Sequence, residues 1–168
     1  RGRSNKFEGC IKLKSSGETT YVSMDEIKKN QDWVNVYKVI FSKATCEHAG
    51  TPDKNGQYRV LSYTDILKPN VICTQSYLVG NVFENYSDAS HFLSYLKTKL
   101  VRYLILQSIT SQDISSDKFQ FVPMQDFTSN SDIDWNKSIP DIDQQLYAKY
   151  GLTEEEISFV NGMIKPME

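Results

Sequence analysis

A chain of 168 residues that is 39% apolar and 12% aromatic can bury a real core, which excludes a disordered segment. No apolar run approaches the roughly 20 residues that cross a bilayer, and no hydrophobic stretch follows the Arg1-Gly2-Arg3-Ser4 start, so neither a membrane span nor a signal peptide is expected. The net charge of −2 hides a split: 16 basic against 12 acidic residues up to position 118, and 3 against 9 beyond it, giving a mildly basic body and an acidic tail.

In chain order, Cys10–Leu13 and Thr20–Val22 flank a Ser15-Ser16-Gly17 turn and read as short strands. Met24–Asn30 places acids early and lysines late, the order that suits a short helix. Trp33–Phe41 is rich in Val, Tyr and Phe and reads as a strand; Ala44–Asn55 is a polar loop. Asn55-Gly56 is a turn signal ahead of an extended Tyr58–Leu61. Val71–Gly80 is the expected central strand, interrupted by the polar Thr74-Gln75-Ser76.

Ser87–Gln107 reads as one long helix capped by Ser87. Ala89, Phe92, Leu93, Leu96, Leu100, Tyr103 and Leu104 make its buried face, and Tyr95, Lys99 and Arg102 a stripe on the other side. Phe119–Val122 is a short strand ended by Pro123. Two helices close the chain: Ile142, Leu146, Tyr147 and Tyr150 face inward on the first, with Gly151 at its left-handed end. Thr153 and Glu156 form a capping box on the second, with Leu152 and Ile157 as its staple. The expected fold is α+β: a small mixed or antiparallel sheet, one long packed helix and a C-terminal helical pair. Residues 1–127 form the body, and 128–168 a linker and the helical pair packed on it.

Chemistry is conspicuous by what is missing. All five prolines are isolated, so the Asn/Asp-Pro-Pro-Tyr loop of an adenine methyltransferase is not here. GxGxxG, GxxxxGK[ST] and GxSxG are also lacking. Asp53, beside Asn55-Gly56, reads as a turn residue rather than a nuclease metal ligand. Cys46, Glu47, His48, Cys73 and His91 match no zinc spacing, so no metal is expected. Three cysteines at long spacings form no disulfide framework, and a reducing cytoplasm follows as the expected setting. A start on Arg rather than Met reads as a piece cut from a longer protein, and the absent motifs make that piece non-catalytic.

Three blocks carry a resemblance. They are Ser94-Tyr95-Leu96-Lys97-Thr98-Lys99 running on to Arg102-Tyr103-Leu104; Phe119–Pro123 followed by Gln125-Asp126-Phe127; and the run from Gln144 to Ile157. In this order they resemble C-terminal regions of bacterial type II-like restriction–modification proteins, in which an N6-adenine DNA methyltransferase is joined to a target-recognition region and often an endonuclease. The likeness covers about residues 71–168. It implies a target-recognition domain that binds double-stranded DNA beside an upstream methyltransferase or endonuclease domain. S-adenosylmethionine, and Mg in a cutting enzyme, would belong to that upstream part.

A domain of this kind needs cations for phosphates and side-chain donors and acceptors for base edges. Lys43, Lys54, Arg59, Lys99 and Arg102 are the phosphate candidates, and Thr74, Gln75, Ser111, Gln112 and Lys118 the base-reading ones. Gln pairs in bidentate fashion with adenine, which suits an adenine-modifying system. A subunit-contact module and a small Mg-dependent nuclease are the rival readings.

Overall fold

The computed structural model describes residues 2–45, 51–110 and 113–167. The fold is α+β; among the described residues it has two three-stranded sheets and four α-helices, the last two a C-terminal helical pair. The first sheet holds β1 (Ile11–Lys14), β2 (Thr19–Val22) and β5 (Val71–Cys73); β1 is central, antiparallel to β2 and parallel to β5. The second holds β3 (Tyr37–Ser42), β4 (Thr64–Leu67) and β6 (Tyr77–Phe83); β3 is central and antiparallel to both neighbours. One sheet is thus mixed and the other antiparallel.

The expected central strand over Val71–Gly80 is two outer strands in different sheets. Thr74-Gln75-Ser76 forms the turn between them, closed by Tyr77 N donating to Thr74 O at 3.1 Å. The polar patch that seemed to interrupt a strand ends one. Residues 58–61 are also not a strand. They make two isolated bridges, Tyr58 to Ile164 and Leu61 to Thr45, around a tight turn in which Leu61 N donates to Arg59 O and Val60 takes a φ of 70°. A buried β-branched residue in left-handed backbone is strained, and the surrounding core must hold it there. Other segments are shorter or tighter than their composition suggests: Met24–Glu26, Gln31–Asn35 and Ser116–Phe119 are single 3-10 turns, and Phe119–Val122 is a hydrogen-bonded turn.

The long helix is two helices, α1 (Tyr86–Lys97) and α2 (Lys99–Leu106), and its cap is Asn85 rather than Ser87. Thr98 makes the break. Its backbone is extended, and its hydroxyl donates to Tyr95 O while accepting from Val101 N. The amides that a continuous helix would have satisfied internally, Lys99 N and Leu100 N, donate instead to the Asp143 carboxylate at 2.8 and 3.0 Å.

One face of β3 (Tyr37, Val39, Phe41) packs with Leu78 and Phe83 of β6 against Ala89, Phe92 and Leu96 of α1. Beside Gly80 the register of β6 slips by one residue, a bulge where a side chain would not fit: a Cβ there would meet the Phe41 and Phe92 rings at 3.0 and 3.1 Å. Ile133, Trp135, Ile142, Leu146, Tyr147, Val160 and Ile164 belong to the same core, so residues 128–164 share it with the body. Helices α3 (Ile139–Tyr150) and α4 (Glu154–Met163) carry the expected devices, with Gly151 at a φ of 66° and the Thr153–Glu156 capping box. The first sheet has its own small core of Ile11, Val22 and Val34, flanked by Leu13, Ile27 and Ile72.

Candidate nucleic-acid interface

The strand end of β3 organises the most coherent polar surface. Lys43 N donates to Ser76 O at 3.0 Å, which ties it to the Thr74–Ser76 turn, and Lys43 O accepts from Ile114 N at 2.7 Å. Lys118, from the 3-10 turn that follows, reaches Thr110 Oγ1 at 3.4 Å. Lys43, Gln75, Lys118 and the stubs of the loop around 111–112 therefore share one edge, although they are spread over 75 positions of sequence. Gln75 is exposed. Ser111 and Gln112, and the Cys46-Glu47-His48 stretch of the polar loop, lie outside the described residues.

A second cluster adjoins this edge. Lys14 ends β1, Tyr63 precedes β4, and Tyr77 opens β6. The two rings sit 5.7 Å apart, with the Lys14 ammonium 5.1 Å from the Tyr63 centroid and 5.9 Å from that of Tyr77. Tyr63 Oη donates to Asp65 at 2.8 Å, and Asp65 pairs with Lys14 at 3.6 Å. The hydrogen bond with Tyr63 is the main influence raising the Lys14 pKa. Backbone continuity joins this cluster to Lys43, since Ser42 N donates to Tyr63 O. Sequence reasoning passed over these residues. The alternation of Lys12 and Lys14 on β1 was the available signal, but nothing local could show which tyrosines lie across from them.

Each cation on this face has a carboxylate beside it: Lys14 has Asp65, Lys43 has Asp113 at 3.2 Å, and Lys118 has Asp117 at 2.9 Å. An incoming phosphate would have to exchange with these acids. The pairs are partly exposed, so the exchange costs little.

The remaining candidates separate from this edge. Lys54 and Arg59 are exposed around the Asp53–Gly56 turn near the C-terminus. Asp53 is a turn residue, its carboxylate accepting from the Asn55 and Gln57 amides at 2.9 Å each and pairing with Lys165. Lys99 is half-buried, donating to Asn161 Oδ1 at 2.9 Å. Arg102 corrects the expected solvent stripe. It is 0% exposed, with Nε donating to the Lys97 and Thr98 carbonyls and a terminal nitrogen to Arg59 O. Tyr95 of the same stripe is also buried, its hydroxyl donating to Pro123 O at 2.6 Å. The break at Thr98 sets α2 apart from α1, so periodicity carried across it misassigns the faces. Thr74 is corrected too: its hydroxyl oxygen is enclosed, away from solvent.

Lys165 is the chief cause holding the Asp53 pKa down, from its ordinary 3.8 to about 2. A depressed carboxylate contributes stability that is present above its unfolded value and lost as pH falls through the folded one. Asp53→Asn is expected to flatten the acid limb of stability between pH 3.8 and about 2, as read by urea titrations at stepped pH.

Comparison with protein-family models, with curated proteins and with solved structures finds no match. Among the described residues, no group of three His, Cys, Asp or Glu could hold a metal ion, and no helix is long and apolar enough to cross a membrane.

Among the described residues, two of the cavities that lie elsewhere flank α1 and α2. One of about 350 Å³ opens between β6, α1 and the 116–124 segment, lined by Phe41, Gly80, Phe92, Tyr95 and Phe119, with the 81% exposed Met124 at its rim. The other, of about 480 Å³, lies between Lys99, Asp143, Asn161 and the start of α3.

Proposed function

We propose that the chain is a sequence-specific DNA-recognition domain of a restriction–modification enzyme, acting in the cytoplasm beside an upstream methyltransferase or endonuclease domain. S-adenosylmethionine and Mg would be bound by that upstream part. The observation that carries the reading is the gathering of Lys43, Gln75, Lys118 and the ends of the 111–112 loop on one edge. That edge combines cations for phosphates with an exposed amide for a base edge. The resemblance of residues 71–168 and the basic body with its acidic tail support the same reading.

The test is fluorescence anisotropy with duplex DNA across a salt series. Binding at low salt is expected, weakening steeply as salt rises. Replacing Lys43 with Ala lowers the magnitude of the log–log salt slope by about 1 on every sequence alike. Gln75→Ala instead relaxes preference at one position, worth roughly 1–3 kcal/mol of discrimination. A folded protein with no affinity for duplex at low salt overturns the proposal. The exposed Met124 and Phe121 beside the apolar cavity favour a second reading, a protein-contact module. That reading predicts folded protein, no DNA binding, and capture of the upstream domain.

A further inference from the structure

The Tyr63 ring is held from three directions. Its hydroxyl donates to Asp65 at 2.8 Å, its ring centre lies 5.7 Å from that of Tyr77 at a 54° tilt, and the Lys14 ammonium lies 5.1 Å from its centre. A surface tyrosine is ordinarily free to turn about its side-chain bonds; this one is fixed, and yet Tyr63 remains 37% exposed. A clamp joining the two sheets would need the contacts but not the exposure. A rigid, partly open aromatic face with ammonium groups close by is the combination that stacks nucleobases: the ring takes the base and the cations take the flanking phosphates. Lys14 supplies the cation at the ring. Bases within a duplex already stack on one another, so such a platform has value only for a base that has left the stack.

We propose that Tyr63, positioned by Tyr77, Asp65 and Lys14, stacks an unpaired base of the bound DNA. This rests on the DNA-recognition reading and adds a ligand to it: a nucleotide whose base is extrahelical, its phosphate held by Lys14. Gln75 is exposed two residues before Tyr77 in the chain.

The experiment compares a fully paired duplex with one carrying a single-nucleotide bulge, using the whole chain. The bulged duplex is expected to bind about tenfold more tightly, the order of one stacked base. Tyr63→Ala removes that advantage, whereas Tyr63→Phe, which keeps the ring, retains it. Lys14→Ala reduces the advantage in part and lowers its salt dependence. As a measurement free of any variant, 5-iodouracil at the bulged position should cross-link on irradiation to Tyr63 or Tyr77 of the unaltered protein. Equal affinity for both duplexes, an advantage that survives Tyr63→Ala in folded protein, or a cross-link mapping elsewhere overturns this proposal alone. Failure to bind either duplex overturns the DNA reading beneath it.

Discussion

Asp143→Ala lowers the free energy of unfolding by about 3 kcal/mol, measured by urea denaturation followed by far-ultraviolet circular dichroism. The side chain is 4% exposed and comes from α3, 43 and 44 positions away from the amides it accepts. Those amides open α2, so removing the carboxylate strands two donors at a buried helix start and leaves the Arg102 and Lys99 charges nearby without their counter-charge. A loss below about 1 kcal/mol would mean that water replaces the carboxylate without penalty.

The pH dependence of the same site has a definite sign. Burial is the leading influence and raises the Asp143 pKa; the Lys99 and Leu100 amides and the Arg102 and Lys99 charges pull the other way. A carboxyl raised on folding contributes stability that is complete below its unfolded value and declines as pH rises through the folded one. The gap in stability between the natural chain and Asp143→Asn is therefore widest in acid and narrows on going to neutral pH. A gap that widened with rising pH would show that the amides and cations outweigh burial.

Phe127→Ala costs more, about 4 kcal/mol. Its ring contacts those of Phe83, Phe92, Tyr95 and Trp135, at centroid separations of 6.2, 5.2, 5.6 and 5.2 Å, and it is 6% exposed. Truncation opens a cavity among four large rings that cannot freely collapse together, because two of them are held elsewhere: Tyr95 by Pro123 O, and Trp135 by Asp126 O and Ser131 Oγ. With Nδ1 protonated, His91 donates to Phe127 O at 2.7 Å and ties the segment to α1. The substitution therefore loosens α1, β6 and the 128–135 connection together. A single cooperative transition at lower urea is expected, and separate melting of the C-terminal helices would show that the two parts are independent.

These two positions show where reading the chain by itself stops. The C-terminal pair was legible because its signals are local. Gly151 must lie within a residue or two of a helix end, and Thr153 and Glu156 satisfy each other's backbone across one turn. The turn at Asp53 was legible for the same reason. The division of Ser87–Gln107 was not, because Thr98 is tolerable inside a helix and what favours the break is a carboxylate on another helix. The stripe of Tyr95, Lys99 and Arg102 failed with it, since the face that Arg102 occupies depends on the carbonyls of Arg59 and Lys97 waiting inside.

The surface proposed to meet DNA divides along the same line. Composition showed a basic body and an acidic tail, and the residue types at Lys43, Gln75 and Lys118 suggested contacts with phosphate and base. Their meeting on one edge was decided by β3 pairing with β6 and by the Lys43–Ser76 and Ile114–Lys43 hydrogen bonds. The same pairing set Tyr77 against Tyr63, and the packing of the two sheets brought Lys14 over both. Charge, capping and turn chemistry act over a few residues, so the chain determined them by itself. Burial of Arg102, the break at Thr98 and the fixing of Tyr63 need partners tens of residues away, and only the tertiary structure could decide them.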